Sequence, residues 1–247
     1  EAEIVSLNFA RSLGRAVGRG AHLQAADGLV EELRVIKDAD EIKALERSFA
    51  LNHAMLRWLE ESQLQPGRSE AELAWAIEKY FRDNGASELA FPSIVAVDQN
   101  AALPHAIPGE KKLGDVGCRV DGYCSDQTRT FWVGDAPHKE FRETMKLVRD
   151  AQQAALDKMR PGLPLHEAYT LARGVFEKAG VEAWFTHGLG HGVGLETHEA
   201  PSLGRRGDKV LQEGMVVTVE PGLYYPQWGG IRWEYTVLIT ADGNRIL

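Results

Sequence analysis

From residue 38 to 61 the chain reads "DADEIKALERSFALNHAMLRWLEE", with Ile42, Leu45, Phe49, Leu56 and Leu59 at near-helical spacing, which predicts a helix. The next run, "QPGRSEAELAWAIEKYFRDNG", predicts a second one. Ser69 and Glu72 stand at capping-box spacing, and Gly85 is a natural C-terminal stop. The same layout returns in "VRDAQQAALDKMRPGLPLHEAYTLARGVFEKAG": a helical stretch, a Pro-Gly turn, and a helix ending in Gly. Gly67 precedes Gly85 by 18 residues, and Gly162 precedes Gly180 by the same 18. In each half β-rich, turn-punctuated sequence follows the helix pair. The pattern predicts an internal duplication, two helix-helix-sheet units within one α/β domain. Their strands would meet in a shared, largely antiparallel sheet with helices on its back and a site on its open face. Residues 1–36 read as mixed helix and loop, and the patch "GRAVGRGAH" supports no firm assignment.

Composition narrows the partners. The 247 residues are 44% hydrophobic and 26% charged, an ordinary globular balance. A net charge of −8 without a Lys/Arg cluster argues against nucleic acid or an anionic membrane as the main partner. No stretch is apolar for long enough to span a bilayer. The chain starts at Glu1 without a signal-peptide pattern, which leaves room for a removed segment. Cys118 and Cys124 form no CxxC and have no second pair, so a reduced, cytoplasmic setting with two small buried thiols is expected.

Three stretches carry candidate chemistry. In "DVGCRVDGYCSDQTRT" the Asp121-Gly122 pair is a two-residue type I′ hairpin signal. Counting back from that turn, Val120 faces Tyr123 and Gly117 faces Asp126. Asp115 and Asp126 become diagonal neighbours on one face, about 7–8 Å apart at the start of their side chains, a gap that metal could bridge. Asp121 is left at the turn. A solvated hairpin without chemistry is the alternative. The span also has the length of an EF-hand loop, but Gly117 and Arg119 stand where that loop needs ligands.

In "THGLGHGVGLETH" His187, His191 and His198 lie among four glycines, too many to hold the helix of an HExxH zinc site. A G-x-G-x-x-G dinucleotide loop does not fit the spacing either. The expectation is a strand or loop where backbone approaches a ligand closely. The third stretch is "GMVVTVEPGLYY" with "GGIRWEYTVLIT". Both read as buried strands, each carrying one glutamate, Glu220 and Glu234, which is costly unless paired or metal-bound. A structural ion pair with Arg232 is the alternative. Together Asp115, Asp126, His191, Glu220 and Glu234 make a hard-oxygen donor set that suits Mn²⁺ or a similar divalent ion, with Co²⁺ or Zn²⁺ possible. Two such ions can polarise a carbonyl and activate water, the equipment of hydrolysis.

"GYCSDQTRT", "GLGHGVGLETHE", "VTVEPGLYY" and "GIRWE", in that order, resemble the pita-bread metallopeptidases, the superfamily of methionine aminopeptidase, aminopeptidase P and prolidase. The resemblance runs from about Val35 to the C-terminus. It implies an α/β (α+β) pita-bread fold, with two pseudo-symmetric halves around a curved, largely antiparallel sheet. It also implies a dinuclear metal centre on the same Asp115, Asp126, His191, Glu220 and Glu234. Glu220 would be the general base, His198 would steady the oxyanion, and His105 would line the substrate site. His187 would join the catalytic residues, and with "SDQTRT" and "EPGLY" it points to the prolidase and aminopeptidase P branch. Arg206, or its neighbour Arg205, would bind a dipeptide carboxylate, with Arg232 and Tyr224 also on the substrate side.

The expectation is therefore an Xaa-Pro dipeptidase, cytoplasmic and homodimeric, acting on small peptides with Pro second. Aminopeptidase P, which takes longer peptides, is the rival. A catalytically dead peptide-binding domain is the rival of another class, but such domains lose ligands and all five candidates are here. Residues 1–36 would be a remnant of an N-terminal domain and linker, and 37–247 the catalytic domain. Three departures from the family pattern stand out. "GEKKLGDVG" before Asp115 is several residues short, so Asp115 could instead be the Asp of the family's upstream "GD". Only about 36 residues stand before the catalytic region, where the family has a longer N-terminal domain, and Tyr235 follows Glu234 where an acid or amide is common.

Overall fold

Asp38 and Ser69 each open a helix by the same device in a computed structural model that describes residues 7–17, 28–96, 98–102 and 114–247. By compactness the chain divides into Glu1–Arg34 and Val35–Leu247. The first unit holds α1 (Leu7–Val17) and the start of α2 (Leu29–Val35), and α1 exposes Phe9, Leu13 and Val17 along one stripe. Part of "GRAVGRGAH" lies outside the described residues.

In the second unit Asp38 takes the N–H groups of Asp40 and Glu41, while Glu41 takes that of Asp38. This capping box starts α3 (Ala39–Trp58), which runs on as a π-helical turn over Leu59–Gln63. The expected Ser69–Glu72 box starts α4 (Glu70–Asp83), and Gly85 ends it at φ +100°. Then follow β1 (Glu88–Leu89), β2 (Ile94–Val95), β3 (Gly114–Val116), β4 (Cys118–Val120), β5 (Tyr123–Cys124) and β6 (Gln127–Arg129). The second half repeats the order with α5 (Lys139–Leu156) and α6 (Leu165–Lys178). After these come β7 (Gly190–Gly192), β8 (Glu199–Leu203), β9 (Val216–Val219), β10 (Gly222–Tyr225), β11 (Gly229–Arg232), β12 (Tyr235–Ile239) and β13 (Asn244–Ile246).

Every ladder is antiparallel, but the single shared sheet is divided into four, in the orders β1-β4-β5, β2-β3-β6, β10-β11 and β13-β12-β9-β7-β8. Isolated hydrogen bonds stitch the halves: Cys124 N–H to Gly194 O at 2.8 Å and Glu234 N–H to Thr128 O at 3.2 Å. α3 packs on β4 and β5, and α5 on β9, β10 and β11. Phe49 and Leu45, Phe81 and Ile77, and Phe176 and Phe185 fill three apolar clusters beneath the helices.

The division has a local cause in each half. Asp121 at φ +50° and Gly122 at φ +84° form the expected turn, Val120 pairs with Tyr123, and beyond the bend Val116 pairs with Gln127. The register is unbroken, and the chain only kinks at Gly117. A Cβ there would lie 2.1 Å from Ser125 O, so no other residue fits. In the second half Val219 pairs with Tyr235 and Gly222 with Arg232, again one register around one kink. Here the break is at Glu220-Pro221, since proline offers no N–H to the ladder. Glu220 and Glu234 are thus not inside strands, as the apolar runs suggested. They stand opposite each other at a corner between two ladders.

Candidate metal centre

The unbroken register in the first half puts Asp115 opposite Thr128, with Asp126 diagonal to it. Carboxylate oxygens of Asp115, Asp126 and Glu234 all lie within 4.8 Å of one another. Asp115 therefore stands in the cluster despite the short sequence before it. His191 joins through Nε2, 3.6 Å from Asp126 Oδ2 and 3.2 Å from Glu220 Oε1. The five candidates form one connected group drawn from β3, the start of β6, β7 and the corner after β9 and β11.

Electrostatics divides the acids. Burial first, then the charges of Glu220 and Asp115, pushes Glu234 up to about 8. Burial, followed by Glu234 and Asp115, also raises Asp126 well above the ordinary carboxylate range. Burial would raise Glu220 too. The hydrogen bond and charge of His191, helped by Arg232 and His187, outweigh it and bring Glu220 down to about 2. Burial opposes protonation of His191, yet Glu220 overcomes it and lifts the imidazole to about 9.

Arg232 is buried at 8% exposure, and its Nη2 lies 2.5 Å from Asp115 Oδ2. Its Nε donates to Thr128 Oγ1 at 2.8 Å and its Nη1 to Tyr224 Oη at 3.2 Å. His187 Nε2 lies 2.9 Å from the same Tyr224 oxygen. The His198 ring is centred 4.0 Å from that of His191. Arg206 lies in the exposed loop after β8 and makes no ion pair with the cluster, while Arg205 donates to Tyr169 at 2.8 Å. His105 lies outside the described residues.

Two threonines complete the group and were not singled out in the sequence. Thr128 Oγ1 lies 3.0 Å from Asp115 Oδ1 and 2.9 Å from Glu234 Oε2, bridging the halves. Thr218 donates to Glu220 Oε1 at 3.1 Å and accepts the His191 N–H at 3.0 Å. The alternation that places each beside its acid is the only signal, and threonine is too common in strands for that to mark it. The glycines around His191 need a correction. A Cβ on Gly190 would lie 2.0 Å from Thr218 O, and one on Gly192 2.2 Å from Ala200 O. These glycines let strand approach strand rather than backbone approach a ligand.

The residues fit divalent metal. Four carboxylates face one guanidinium and one imidazole, an excess of negative charge that burial makes costly. Glu234 Oε1 is buried with no hydrogen-bond partner among the described residues. Oxygen-rich donors with one imidazole suit hard or borderline divalent ions. The histidine partners also differ: His191 Nδ1 lies 3.0 Å from Gly192 O, which leaves Nε2 directed at the acids.

Comparison with known proteins identifies the family. The model of metallopeptidase family M24 matches residues 43–241. The Xaa-Pro dipeptidase of Pyrococcus furiosus is 38% identical over 229 residues, 90% of this chain and 65% of that protein. The solved Xaa-Pro dipeptidase from Bacillus anthracis superposes with a TM-score of 0.94 at 36% identity, covering 100% of this chain and 70% of that one. The X-Pro aminopeptidase from Thermotoga maritima gives 0.91 at 33% identity, covering 100% and 71%. The chain thus spans just under two thirds of the curated P. furiosus relative. No helix among the described residues is long and apolar enough to cross a membrane.

Proposed function

The chain belongs to metallopeptidase family M24, and from that premise we propose that it hydrolyses Xaa-Pro bonds, with dipeptides as its preferred substrates. The observation that carries the proposal is the gathering of Asp115, Asp126, His191, Glu220 and Glu234, with one Glu234 oxygen buried and unpartnered among the described residues. The family implies divalent metal ions, and the hard-oxygen donors favour two Mn²⁺ ions, held by those five side chains. Bound there, the ions would polarise the scissile carbonyl and make a water acidic enough to attack at neutral pH.

The remaining tasks fall to the chain. Glu220, held as the carboxylate, takes the proton of the attacking water as general base. His198, its ring beside that of His191, steadies the charge that develops on the carbonyl oxygen. His187 and Tyr224 orient the substrate, with His105 lining the same site. Arg206 meets the free carboxylate of a dipeptide. Arg232 reaches Asp115, Thr128 and Tyr224, so its share in substrate binding runs through orienting them. A proline substrate offers no amide N–H at the scissile bond, so recognition rests on its carbonyl, amino terminus, ring and carboxylate.

Residues 1–36 read as N-terminal domain and linker sequence, and 37–247 as the catalytic domain. A cytoplasmic homodimer is the working state, the first part resting on two buried free thiols. Aminopeptidase P activity is the second reading, favoured by the likeness to the T. maritima X-Pro aminopeptidase. An assay of an Xaa-Pro dipeptide against the matching Xaa-Pro tripeptide in one Mn²⁺ buffer separates them. The dipeptide should be cleaved faster, and faster tripeptide cleavage would overturn the preference.

A further inference from the structure

Behind the acidic cluster, on the opposite side of β6, lies a cavity of about 460 Å³. Strand alternation sends Asp126 and Thr128 to the metal side and Gln127 and Arg129 to this one. Arg57, Arg129, His53, Trp132, Phe141 and Trp233 line it, with Glu60 as its one carboxylate. Arg129 is half-buried and has no carboxylate within 4.0 Å among the described residues, nor does Arg57. Arg129 Nη1 donates instead to two backbone carbonyls, Thr128 O at 2.9 Å and Glu234 O at 2.5 Å. Its guanidinium lies 4.8 Å from the centroid of the Trp233 ring, and that of Arg149 lies 4.5 Å from the same centroid.

The guanidiniums of Arg57 and Arg129 form no ion pair among the described residues. The other half-buried or buried cations near the sheet have acid partners: Lys37 has Glu199 at 2.7 Å and Arg232 has Asp115. Among the described residues Arg129 has no carboxylate at ion-pair distance: carbonyl dipoles and ring faces contact it, and Glu234 and Glu60 act on it only from farther off. A guanidinium withdrawn from water without an anion is unfavourable, and its planar fork matches an oxyanion. The wall adds an unused donor: Trp233 Nε1 is buried without a partner among the described residues. Behind the wall the fully buried Gln127 holds His53 in place, its Nε2 2.6 Å from His53 Nε2. Aromatic walls with convergent donors are the make-up of a small-ligand site. Burial first, with Arg129 and Arg57 after it, lowers the His53 pKa, so the imidazole stands neutral and can present an N–H.

We propose that this cavity binds a small oxyanion, a phosphate or a carboxylate, between Arg57 and Arg129, with the indole N–H of Trp233 as a further donor. The site is separate from the peptide site and needs no peptidase activity. Its occupant would neutralise the guanidinium that ties the backbone of Thr128 to that of Glu234.

Trp132 and Trp233 provide the readout. The metal-loaded protein is titrated with sodium sulfate, a tetrahedral dianion that keeps Mn²⁺ soluble, and separately with sodium succinate, at ionic strength held constant with chloride. Saturable change in tryptophan fluorescence is expected for at least one. Tighter sulfate binding assigns a phosphate-like ligand and tighter succinate binding a carboxylate. The dissociation constant should rise about tenfold in Arg57→Gln and at least as much in Arg129→Gln, the loss of one charge-assisted pair. Arg57 is exposed on α3, so its variant keeps the test valid should Arg129→Gln fail to fold. A response no different from chloride, or an affinity unchanged in Arg57→Gln, would overturn the site. The titration reads anion binding alone, so its outcome is independent of whether the protein cleaves Xaa-Pro bonds.

Discussion

The two halves solve one problem with different residues. Each carries a long antiparallel hairpin that keeps a single register through a kink, and each places its acids at that kink. In the first half the kink is made by the absence of a side chain at Gly117, and the acids, Asp115 and Asp126, lie diagonally. In the second it is made by the absence of an N–H at Pro221, and the acids, Glu220 and Glu234, lie opposite each other. Of the shorter aspartates, Asp115 sits in a paired strand and Asp126 at the kink just before β6. The longer glutamates reach in from the corner. The comparison teaches that the centre is a property of two bends meeting, and that no single motif contains it.

The largest effect should come from removing one acid from each half. Asp126→Ala and Glu234→Ala should each lower kcat/KM by roughly a thousandfold, the loss of several kcal/mol of charge stabilisation. Metal per chain, measured by atomic emission, should fall with it in both. Full metal content in one variant would make the halves unequal partners.

The kinks should differ in tolerance. Gly117→Ala drives a Cβ against the Ser125 carbonyl and should destabilise by about 1–3 kcal/mol or more, read from urea unfolding. Pro221→Ala should change stability by less than about 1 kcal/mol, through the unfolded chain. Equal costs would mean that Gly117 is not the reason for the first bend.

The opposed glutamates should titrate in contrary senses. In metal-free protein Glu234 holds its proton up to about 8, whereas the unfolded chain loses it near 4.5. The native state then binds more protons across that window, so stability falls as pH rises from 5.5 to 8. His191, raised to about 9, adds to the fall above its ordinary 6.5. Glu220, lowered to about 2, contributes stability that is present above about 4.5 and is lost only in acid. Urea midpoints at pH 5.5 and 8 should therefore drop, with Glu234→Gln flattening the slope. A midpoint that rises with pH would contradict the burial of that acid.

The smallest effect belongs to the turn. Arg47 and Asp121 pair at 2.7 Å with both side chains more than half exposed, so Arg47→Ala should cost no more than about 1 kcal/mol in thermal unfolding. A larger loss would give the hairpin tip a part in holding the bend.

Much of this geometry was legible in the chain. Asp121-Gly122 fixes a two-residue turn, and counting from it gives the Asp115–Asp126 diagonal without any tertiary knowledge. Glu220 and Glu234 stood out because each interrupts an apolar run. What was hidden had no local signature. Thr128 and Thr218 matter only through the acids that tertiary packing brings to them. Lys37 and Glu199 are a buried pair 162 positions apart, which no periodicity reveals. The glycines beside His191 carry the same letters for close strand contact as for ligand contact, and only the backbone of Thr218 and Ala200 distinguishes the two. The split of the sheet was missed because a corner at Glu-Pro reads as one continuous strand when only hydrophobicity is followed.

The arm between Val116 and Gln127 also limits how this chain can evolve. Because side chains alternate, deleting one residue from Cys118–Val120 or from Tyr123–Ser125 changes the parity of the count. Asp126 would then turn to the side where Gln127 now stands, and the proposed centre would lose a ligand without any substitution. Length changes here survive only in even, matched steps, so the spacing from Asp115 to Asp126 should be nearly fixed among active descendants. Insertions are free to accumulate in exposed loops such as the one after β8, where no count has to be kept.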